Sequence, residues 1–205
     1  MNIEVKNSVK LVDYNDSMKI LEKRVNDVLL NKKDELLWIL EHKTIYTAGT
    51  SSNDRDLINK NIKVIKTKRG GKHTLHSPGQ KVVYFVLNLN KRKKDIRELI
   101  NKIENCILEV LKEYKLESFK DKNNVGVWVK IKNRPKKIAA IGIRVKKWIA
   151  YHGFSINVTN DLSKYKAIIP CGIRDKGVTS LKDLGIKNVN NIEEIITKNF
   201  LSTFL

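Results

Sequence analysis

The fold is decided by the stretch VVYFVLNLNKRKKDIRELINKIENCILEVLKEY, residues 82–114. It opens with the longest apolar run of the chain, residues 82–87, whose length is typical of a buried strand. Asp95 then stands before apolar residues at helical spacing, which predicts a helix from there to about Tyr114. Its apolar face would comprise Ile96, Leu99, Ile103, Cys106, Ile107, Val110, Leu111 and Tyr114. A buried strand followed by an amphipathic helix is typical of an α/β protein.

Strands and helices continue to alternate on both sides of this stretch. The first third is predicted as strand, helix and strand, with Asp16 or Ser17 capping a helix that runs to about residue 30. Asn190 or Asn191 is predicted to cap a final helix that ends near Phe204. Further strands are predicted at 35–40, 62–67, 82–89, 125–131, 138–145 and 153–158, with turns at 49–53 and a loop at 68–80. The last two strands are expected to form a hairpin. No linker interrupts this mixture, so residues 1–205 are predicted to form a single α/β domain with a mixed sheet and flanking helices.

Length and composition set the broad class of protein. A chain of 205 residues can fill one hydrophobic core, and its apolar fraction of 41% lies far from that of disordered proteins. No run approaches the ~20 apolar residues of a membrane-spanning helix, and the N-terminus has no secretory pattern. Two cysteines are too few for a disulfide framework. We therefore expect a cytoplasmic protein.

The net charge of +19 raises the question of nucleic-acid binding. The basic residues are mostly lysines spread along the chain, and no recognition motif with stacking aromatic residues is present. A nucleic-acid partner is therefore not favoured. A basic surface also suits an acidic protein partner, because complementary charge speeds encounter.

Only one of the two cysteines has a sequence context that suits a nucleophile. Cys106 falls on the apolar face of the predicted helix, where a cysteine behaves as a small buried hydrophobe. Cys171 follows an apolar run and stands between Pro170 and Gly172, which would display its thiol at a strand end. A thiol reacts as the thiolate and needs a neighbouring base or cation. His76, His152 or a lysine can fill that role, and spacing alone does not choose among them.

A second candidate region is the glycine-containing loop RGGKHTLHSPGQ, residues 69–80. Its backbone can approach a bound oxygen closely, while Arg69, Thr74 and His76 can hydrogen-bond a substrate. The alternative is an ordinary long turn between two strands. The loop is not a phosphate loop, since neither nucleotide-binding glycine fingerprint occurs in the chain.

Three blocks together resemble the lipoate-biosynthesis octanoyltransferases. They are RGGKHTLHSPGQ at 69–80, KIAAIGIR at 137–144 continuing to HGFSIN at 152–157, and IPCGI at 169–173 followed by VTSL at 178–181. Weaker similarity covers LEH at 40–42, YTAG at 46–49 and GVWV at 126–129. The order and spacing agree over nearly the whole chain. Leu75 and Ser77 depart from the family pattern, which has tyrosine and glycine there, and we expect these departures to affect the acyl pocket or its preferred chain length.

The resemblance implies a mechanism that needs no ATP, cofactor or metal. Cys171 would take an octanoyl group from octanoyl-acyl carrier protein as a thioester, with Lys137 as its partner. A lysine of an apo lipoyl domain would then accept the group as an amide. The implied acceptors are the lipoyl domains of 2-oxoacid dehydrogenase complexes and the glycine cleavage H protein. Lys137 would either lower the pKa of Cys171 as an ammonium or accept a proton as an amine.

The resemblance also implies a substrate pocket and a fold. The implied pocket residues are Arg69, Gly70, Gly71, Lys72, His73, Thr74, Leu75, His76, Ala140, Ile141, Gly142, Gly153, Phe154 and Ser155. Small residues such as Gly142 and Gly153 would leave room for an extended acyl chain beside the strands. The implied fold is that of the biotin/lipoate protein ligases.

Two other functions compete with this interpretation. An ATP-dependent lipoate–protein ligase has the same implied fold, but it would activate the free acid as an adenylate and would not need Cys171. A basic, non-enzymatic binding protein would use the charge alone and would bind nucleic acid in a salt-dependent way.

Overall fold

The computed structural model describes residues 2–169 and 176–205, and these form two sheets and three α-helices. The strands are β1 (Ile3–Asn7), β2 (Glu35–Leu40), β3 (Ile45–Ala48), β4 (Val64–Lys66), β5 (His73–His76), β6 (Gln80–Asn88), β7 (Ser118–Asp121), β8 (Asn124–Ile131), β9 (Arg134–Lys146), β10 (Ile149–Asn157) and β11 (Gly177–Val178). The helices are α1 (Tyr14–Leu29), α2 (Ile96–Lys112) and α3 (Ile192–Phe204). The predicted α/β class, a mixed sheet with flanking helices, is confirmed.

The main sheet has the order β1-β2-β6-β10-β9-β8-β7, with β11 paired to β9. The β1–β2 and β11–β9 pairs are parallel and the other pairs are antiparallel. All six residues of β2 and almost all of β6 are buried, which is the pattern of strands covered on both faces.

Helix α1 covers one face of the sheet, and α2 and α3 cover the other. Leu36 and Trp38 of β2 pack with α1, whereas Leu37 and Ile39 pack with α2 and α3. Successive side chains of a strand point to opposite faces, so a continuous apolar run supplies both layers. We refer below to the face that α1 covers as the α1 face.

Helix α2 begins as predicted, and α1 begins earlier than predicted. The Asp95 side chain accepts hydrogen bonds from the N–H groups of Arg97 and Glu98, which caps α2. Asp13, and not Asp16 or Ser17, caps α1 in the same way. Ser17 is instead buried in the first turn, with its hydroxyl bonded to the carbonyl of Tyr14 at 2.7 Å. For α3, Asn191 is the cap residue but makes no side-chain capping bond.

β3, β5 and β7 were not predicted as strands, whereas β4 lies within the predicted strand 62–67. β3, β4 and β5 form a separate three-stranded sheet, so part of the predicted loop 68–80 is a strand. The three strands that were not predicted have four residues each, which is too short for an alternating pattern to stand out.

The predicted hairpin is confirmed as β9–β10. Both strands extend closer to the turn than predicted, β9 as far as Lys146 and β10 from Ile149 onward. Lys147 and Trp148 connect its strands with φ of 49° and 63°, the left-handed conformation of a two-residue hairpin turn. The register places Ala140 opposite Ser155 and Gly142 opposite Gly153. The strand pairing thus joins two stretches that the sequence analysis assigned to one pocket.

Candidate active site

A cavity of about 380 Å³ lies beside the β9–β10 hairpin. This volume falls in the range of small-molecule binding sites. Val82 and Tyr84 of β6 line it, and both pack among the residues of the α1 face. Thirteen predicted site residues also line it: Arg69, Gly71, Lys72, His73, Thr74, His76, Lys137, Ala140, Ile141, Gly142, Gly153, Phe154 and Ser155.

The loop before β5 is held against the hairpin by its backbone and by Arg69. The N–H of Gly70 donates to the carbonyl of Ile143 at 2.9 Å. The buried Arg69 guanidinium donates to the carbonyls of Gly70 and Lys72 and to both the carbonyl and the hydroxyl of Thr47, over 2.8 to 3.1 Å. Arg69 therefore holds the loop in shape as well as lining the cavity.

Lys137 stands at one end of the row of β9 residues that line the cavity. It is only 6% exposed, and its Nζ donates to the carbonyl of Val125 at 2.9 Å. The same Nζ lies 4.7 Å from the ring centroid of Trp128, a cation–π distance. The Nζ of Lys176, the first residue of the second described range, lies 5.0 Å from the centroid of the same ring and also pairs with Asp121. The terminal nitrogens of two lysines therefore lie close to one aromatic ring beside the cavity.

Cys171, the predicted nucleophile, lies outside the described residues. The chain before it is fixed at Ile169, whose N–H donates to the carbonyl of Asp56 at 2.7 Å. The chain after it returns at β11, where Gly177 pairs with Lys136 and Val178 pairs with Lys137. The strand that follows the cysteine segment is therefore hydrogen-bonded beside Lys137.

Tyr84 and His76 line the cavity wall on the α1 face, and the ring of His42 packs against both of them. His42 Nδ1 lies 2.8 Å from the carbonyl of Val12, which can only accept, so Nδ1 carries the proton. His42 Nε2 consequently accepts the hydroxyl of Tyr84 at 2.8 Å. Burial lowers the pKa of His42 and raises that of Tyr84, so this pair is neutral at physiological pH.

His76 is a neutral donor on the same wall. Its Nδ1 lies 2.6 Å from Oε1 of Gln80, and the amide nitrogen of Gln80 donates to the carbonyl of Leu75, so Oε1 is the acceptor. His76 Nδ1 therefore donates, which leaves the lone pair on Nε2. Burial first, and the neighbouring His42 second, lower the pKa of His76 to about 3.

His152 has an unusual backbone conformation. Its φ is +67° in the middle of β10, yet the pairing of β10 with β6 and β9 runs through it without a register shift. The other non-glycine residues with positive φ in the described chain lie at helix ends or in turns; they are Asn31, Lys115, Lys132, Asn133, Lys147 and Trp148. A buried residue held in this region costs of order 1–3 kcal/mol, and such residues cluster at functional sites.

Gly153 is required by the strand beside it and also lines the cavity. A Cβ at this position would lie 1.9 Å from the carbonyl oxygen of Val83 in β6. Gly153 was expected to leave room for an acyl chain. The structure adds a further reason for glycine, since only glycine lets β10 approach β6 this closely.

Two predicted pocket residues do not line the cavity. Gly70 contributes its backbone bond to Ile143, as described above. Leu75 is fully buried in a small apolar cluster with Tyr165 and Ile168. The departure from the family pattern at Leu75 therefore does not place a different side chain against the cavity. Ser77, the second departure, is also buried and is not a lining residue.

Several lining residues were not among the predicted pocket residues. They are Tyr14, Val82, Tyr84, Asn123, Asn124, Val125 and His152. Val82 and Tyr84 read as ordinary strand residues, and Tyr14 precedes the predicted helix. His152 was predicted as a candidate partner of the cysteine but not as a pocket residue.

The described residues offer no metal site and no membrane-spanning helix. They contain no group of three or more His, Cys, Asp or Glu side chains placed to hold a metal ion. Within residues 2–169 and 176–205, no helix has the length and apolar character needed to cross a membrane. Cys106 is buried as predicted, and burial raises the pKa of its thiol to about 12.

Comparison with known proteins gives concordant results. The family model for the lipoyl protein ligase A/B catalytic domain matches residues 13–201. A protein of the Wolbachia endosymbiont of Brugia malayi named Octanoyltransferase is 44% identical over 199 residues, covering 96% of this chain and 97% of that protein. The Octanoyltransferase of Anaplasma phagocytophilum is 41% identical over 207 residues and covers both chains completely.

Solved structures show the same fold at low sequence identity. An archaeal bipartite lipoate protein ligase from Thermoplasma acidophilum superposes with a TM-score of 0.72 at 15% identity, covering 98% of this chain and 84% of that one. A lipoate-protein ligase A bound with ATP gives a TM-score of 0.72 at 15% identity, covering 98% and 85%. At this identity the likeness establishes the fold alone, and it confirms the fold that the resemblance implied.

Proposed function

Because this chain belongs to the lipoyl protein ligase A/B catalytic-domain family and is an octanoyl-transferring enzyme, we propose that the octanoyl group passes through a thioester on Cys171, with Lys137 as its acid–base partner. The donor in this proposal is octanoyl-acyl carrier protein. The acceptor is the lysine of an apo lipoyl domain. The cytoplasm, expected from the cysteine content, is the proposed compartment.

The transfer consists of two balanced steps. The Cys171 thiolate attacks the carbonyl carbon of the donor thioester, and the carrier thiol leaves with a proton as the new thioester forms. The acceptor amine then attacks that thioester, an amide forms, and the Cys171 thiol is restored. A thioester is already activated, so neither step consumes ATP.

The position of Lys137 is the observation that carries the proposal. It is a buried lysine at a cavity, directly paired through its backbone with the strand that follows the Cys171 segment. Its bond to the carbonyl of Val125 holds Nζ in place, so it can give a proton to the leaving thiol or take one from the acceptor amine.

The floor of the cavity suits an acyl chain that starts at Lys137. Lys137, Ala140 and Gly142 follow one another along β9, with Ser155 and Gly153 opposite the last two. Ala140, Ser155 and Gly153 form a floor with little side-chain bulk, whereas the Arg69 side chain packs over Gly142, with its Cδ 3.1 Å from the position of a Cβ there. The reacting carbonyl would lie at the Lys137 end and the alkyl chain along the floor.

The experiment that tests the proposal is intact-mass spectrometry without ATP. The protein is mixed with octanoyl-acyl carrier protein and then with an apo lipoyl domain. We expect an octanoyl adduct that hydroxylamine removes, that maps to Cys171 and that moves to the lipoyl domain. Cys106→Ala is the matched control for Cys171→Ala, and Lys136→Ala is the matched control for Lys137→Ala. Both control variants should keep the transfer.

The ATP-dependent ligase remains the alternative for this fold. The curated relatives described above are named Octanoyltransferase, whereas the ligases share the fold at only 15% identity. A Cys171→Ala variant that still modifies the lipoyl domain from free octanoate and ATP would overturn the thioester mechanism. Absence of any adduct on the unmodified protein, with carrier and acceptor shown to be competent, would do the same.

The basic character of the chain supports acidic protein substrates. At a net charge of +19, encounter with an acidic carrier protein is favoured at low salt. Raising the ionic strength from about 0.05 to 0.5 M shortens the screening length several-fold, so the apparent KM for the carrier protein should rise. An unchanged KM would refute docking by charge.

A further inference from the structure

The strained residue His152 occupies a place that strand geometry alone would not give it. Ala150, Phe154 and Ile156 of β10 all point into the core formed with α2 and α3. His152 is separated from each of them by an even number of residues, so in an ordinary extended strand its ring would point into the same core. The ring instead lies on the α1 face, stacked on Tyr151 at 5.0 Å and edge-on to Tyr84 at 6.3 Å. The left-handed φ of +67° is what turns the ring to this face.

The ring of His152 stands at the opposite end of the cavity from Lys137. His152 pairs with Ile143 of β9, four residues along the strand from Ala139. The Nζ of Lys137 reaches the level of Ala139 through its contacts with Val125 and Gly126, so about 13 Å of backbone separates the two groups. Between the two positions the cavity floor consists of Ala140, Ser155 and Gly153, while the Arg69 side chain packs over Gly142. Lys137 and His152 thus lie at opposite ends of the same floor.

An alkyl chain lying on this floor would meet the imidazole with its terminal carbons. None of the hydrogen bonds among the described residues involves the ring nitrogens of His152, so its place is set by backbone conformation and by ring stacking. Burial, followed by the charges of Arg69 and Arg144, lowers the pKa of His152 to about 3. The ring is therefore neutral at physiological pH, as a surface in contact with a hydrocarbon must be.

We propose that His152 is the specificity-determining residue that ends the acyl pocket and limits the length of the acyl group. This inference rests on the proposed function, because it needs the thioester at the Lys137 end. The strained backbone is the means: it moves a bulky ring from the core to the end of the cavity. Leu75, which the sequence analysis connected with chain length, is buried elsewhere and does not have this role.

The first test uses the unmodified protein with hexanoyl, octanoyl, decanoyl and dodecanoyl carrier proteins. A pocket with a fixed end should show a steep fall in kcat/KM for adduct formation beyond one length, because a hydrocarbon pocket discriminates by roughly tenfold or more per methylene group. Equal rates with octanoyl and dodecanoyl donors would overturn the inference without any variant.

The second test is His152→Gly, with His152→Asn as the alternative if the glycine variant does not fold. Glycine adopts positive φ without strain, and asparagine tolerates it, so both keep the backbone while removing the ring. We expect the ratio of kcat/KM for the decanoyl donor to that for the octanoyl donor to rise about tenfold or more in His152→Gly. An unchanged ratio in a folded variant, or an equal loss for every length, would overturn the inference.

The matched control is Trp148→Gly. Trp148 also has a positive φ, +63°, but it lies in the hairpin turn and does not line the cavity. Trp148→Gly should relieve backbone strain to a similar extent and leave the length profile unchanged. If the unmodified protein forms no adduct with octanoyl carrier protein, the proposed function fails. If it forms the adduct and His152→Gly keeps the same profile, only the present inference fails.

Discussion

Replacing Gly126 by alanine tests how the backbone of β8 holds Lys137 in place. Gly126 has a φ of +123°, and a Cβ there would lie 2.6 Å from the carbonyl oxygen of Ala139. It would also lie 3.3 Å from Cε and 3.4 Å from Nζ of Lys137. The N–H of Gly126 donates to the buried Glu104 carboxylate at 3.0 Å, which fixes this part of the strand from α2.

The expected cost has two parts. An L side chain in this backbone conformation costs about 1–3 kcal/mol. The contact with the Ala139 carbonyl is an overpacking contact, which adds about 1–3 kcal/mol more because backbone cannot move aside as a flexible side chain can. Since the Cβ also presses on Nζ, Lys137 should move by a fraction of an ångström to an ångström. A displacement of about 1 Å at a catalytic group can lower the rate about a hundredfold.

Gly185→Ala is the matched control for the free-energy cost of placing an L side chain at positive φ. Gly185 has a φ of +82°, and no heavy atom lies within 4 Å of a Cβ built there. Urea unfolding should give Gly126→Ala a loss of stability about 1–3 kcal/mol larger than that of Gly185→Ala. In octanoyl transfer at saturating donor, only Gly126→Ala should lose kcat, by about a hundredfold. A folded Gly126→Ala variant with an unchanged kcat would show that Gly126 does not hold Lys137 in its working position. Lys137→Ala in the same assay tests separately whether Lys137 is needed, and a low kcat would show that it is.

Three further outcomes are expected. Arg69→Lys should lower the unfolding free energy by about 2–3 kcal/mol, measured by urea titration, because an ammonium cannot reproduce the several hydrogen bonds of the buried guanidinium; a loss below about 0.5 kcal/mol would contradict this. Burial lowers the pKa of His76 and His152 from 6.5 to about 3, so as the pH falls the unfolded chain binds protons before the folded chain does. The contribution of these histidines to stability is therefore complete above about pH 6.5 and is lost as the pH falls towards 3. His76→Gln should flatten the fall of the urea midpoint over that range, and an equally steep fall would show that His76 does not contribute. Cys106 should resist iodoacetamide at pH 8 in the folded protein and react after unfolding, as read by peptide mass mapping, because burial raises the pKa of its thiol to about 12; rapid labelling of native Cys106 would contradict the burial.

The long periodic elements were predictable because their patterns are local. β2 and α2 were placed within a residue or two, since an apolar run and a strong helical stripe depend on neighbours in the sequence. The aspartate that caps α2 was identified in the same way. For α1 the predicted caps, Asp16 or Ser17, were wrong: Asp13 caps the helix, and Ser17 is buried in its first turn. Short strands such as β5 and β7 carry too few residues for a pattern, and their pairing depends on distant partners.

Residue type and order were enough to predict the α/β class and to identify the motif blocks, and the family resemblance of those blocks implied most of the residues that line the cavity. The face that each side chain takes is a property of the folded chain. Leu75 turns into a separate apolar cluster, while Tyr84, an ordinary strand residue in the sequence, becomes part of the cavity wall. His152 reverses its expected face through one backbone angle, and that angle is held by strands β6 and β9 on either side. Such a choice is made by long-range pairing and packing, which a local pattern does not contain.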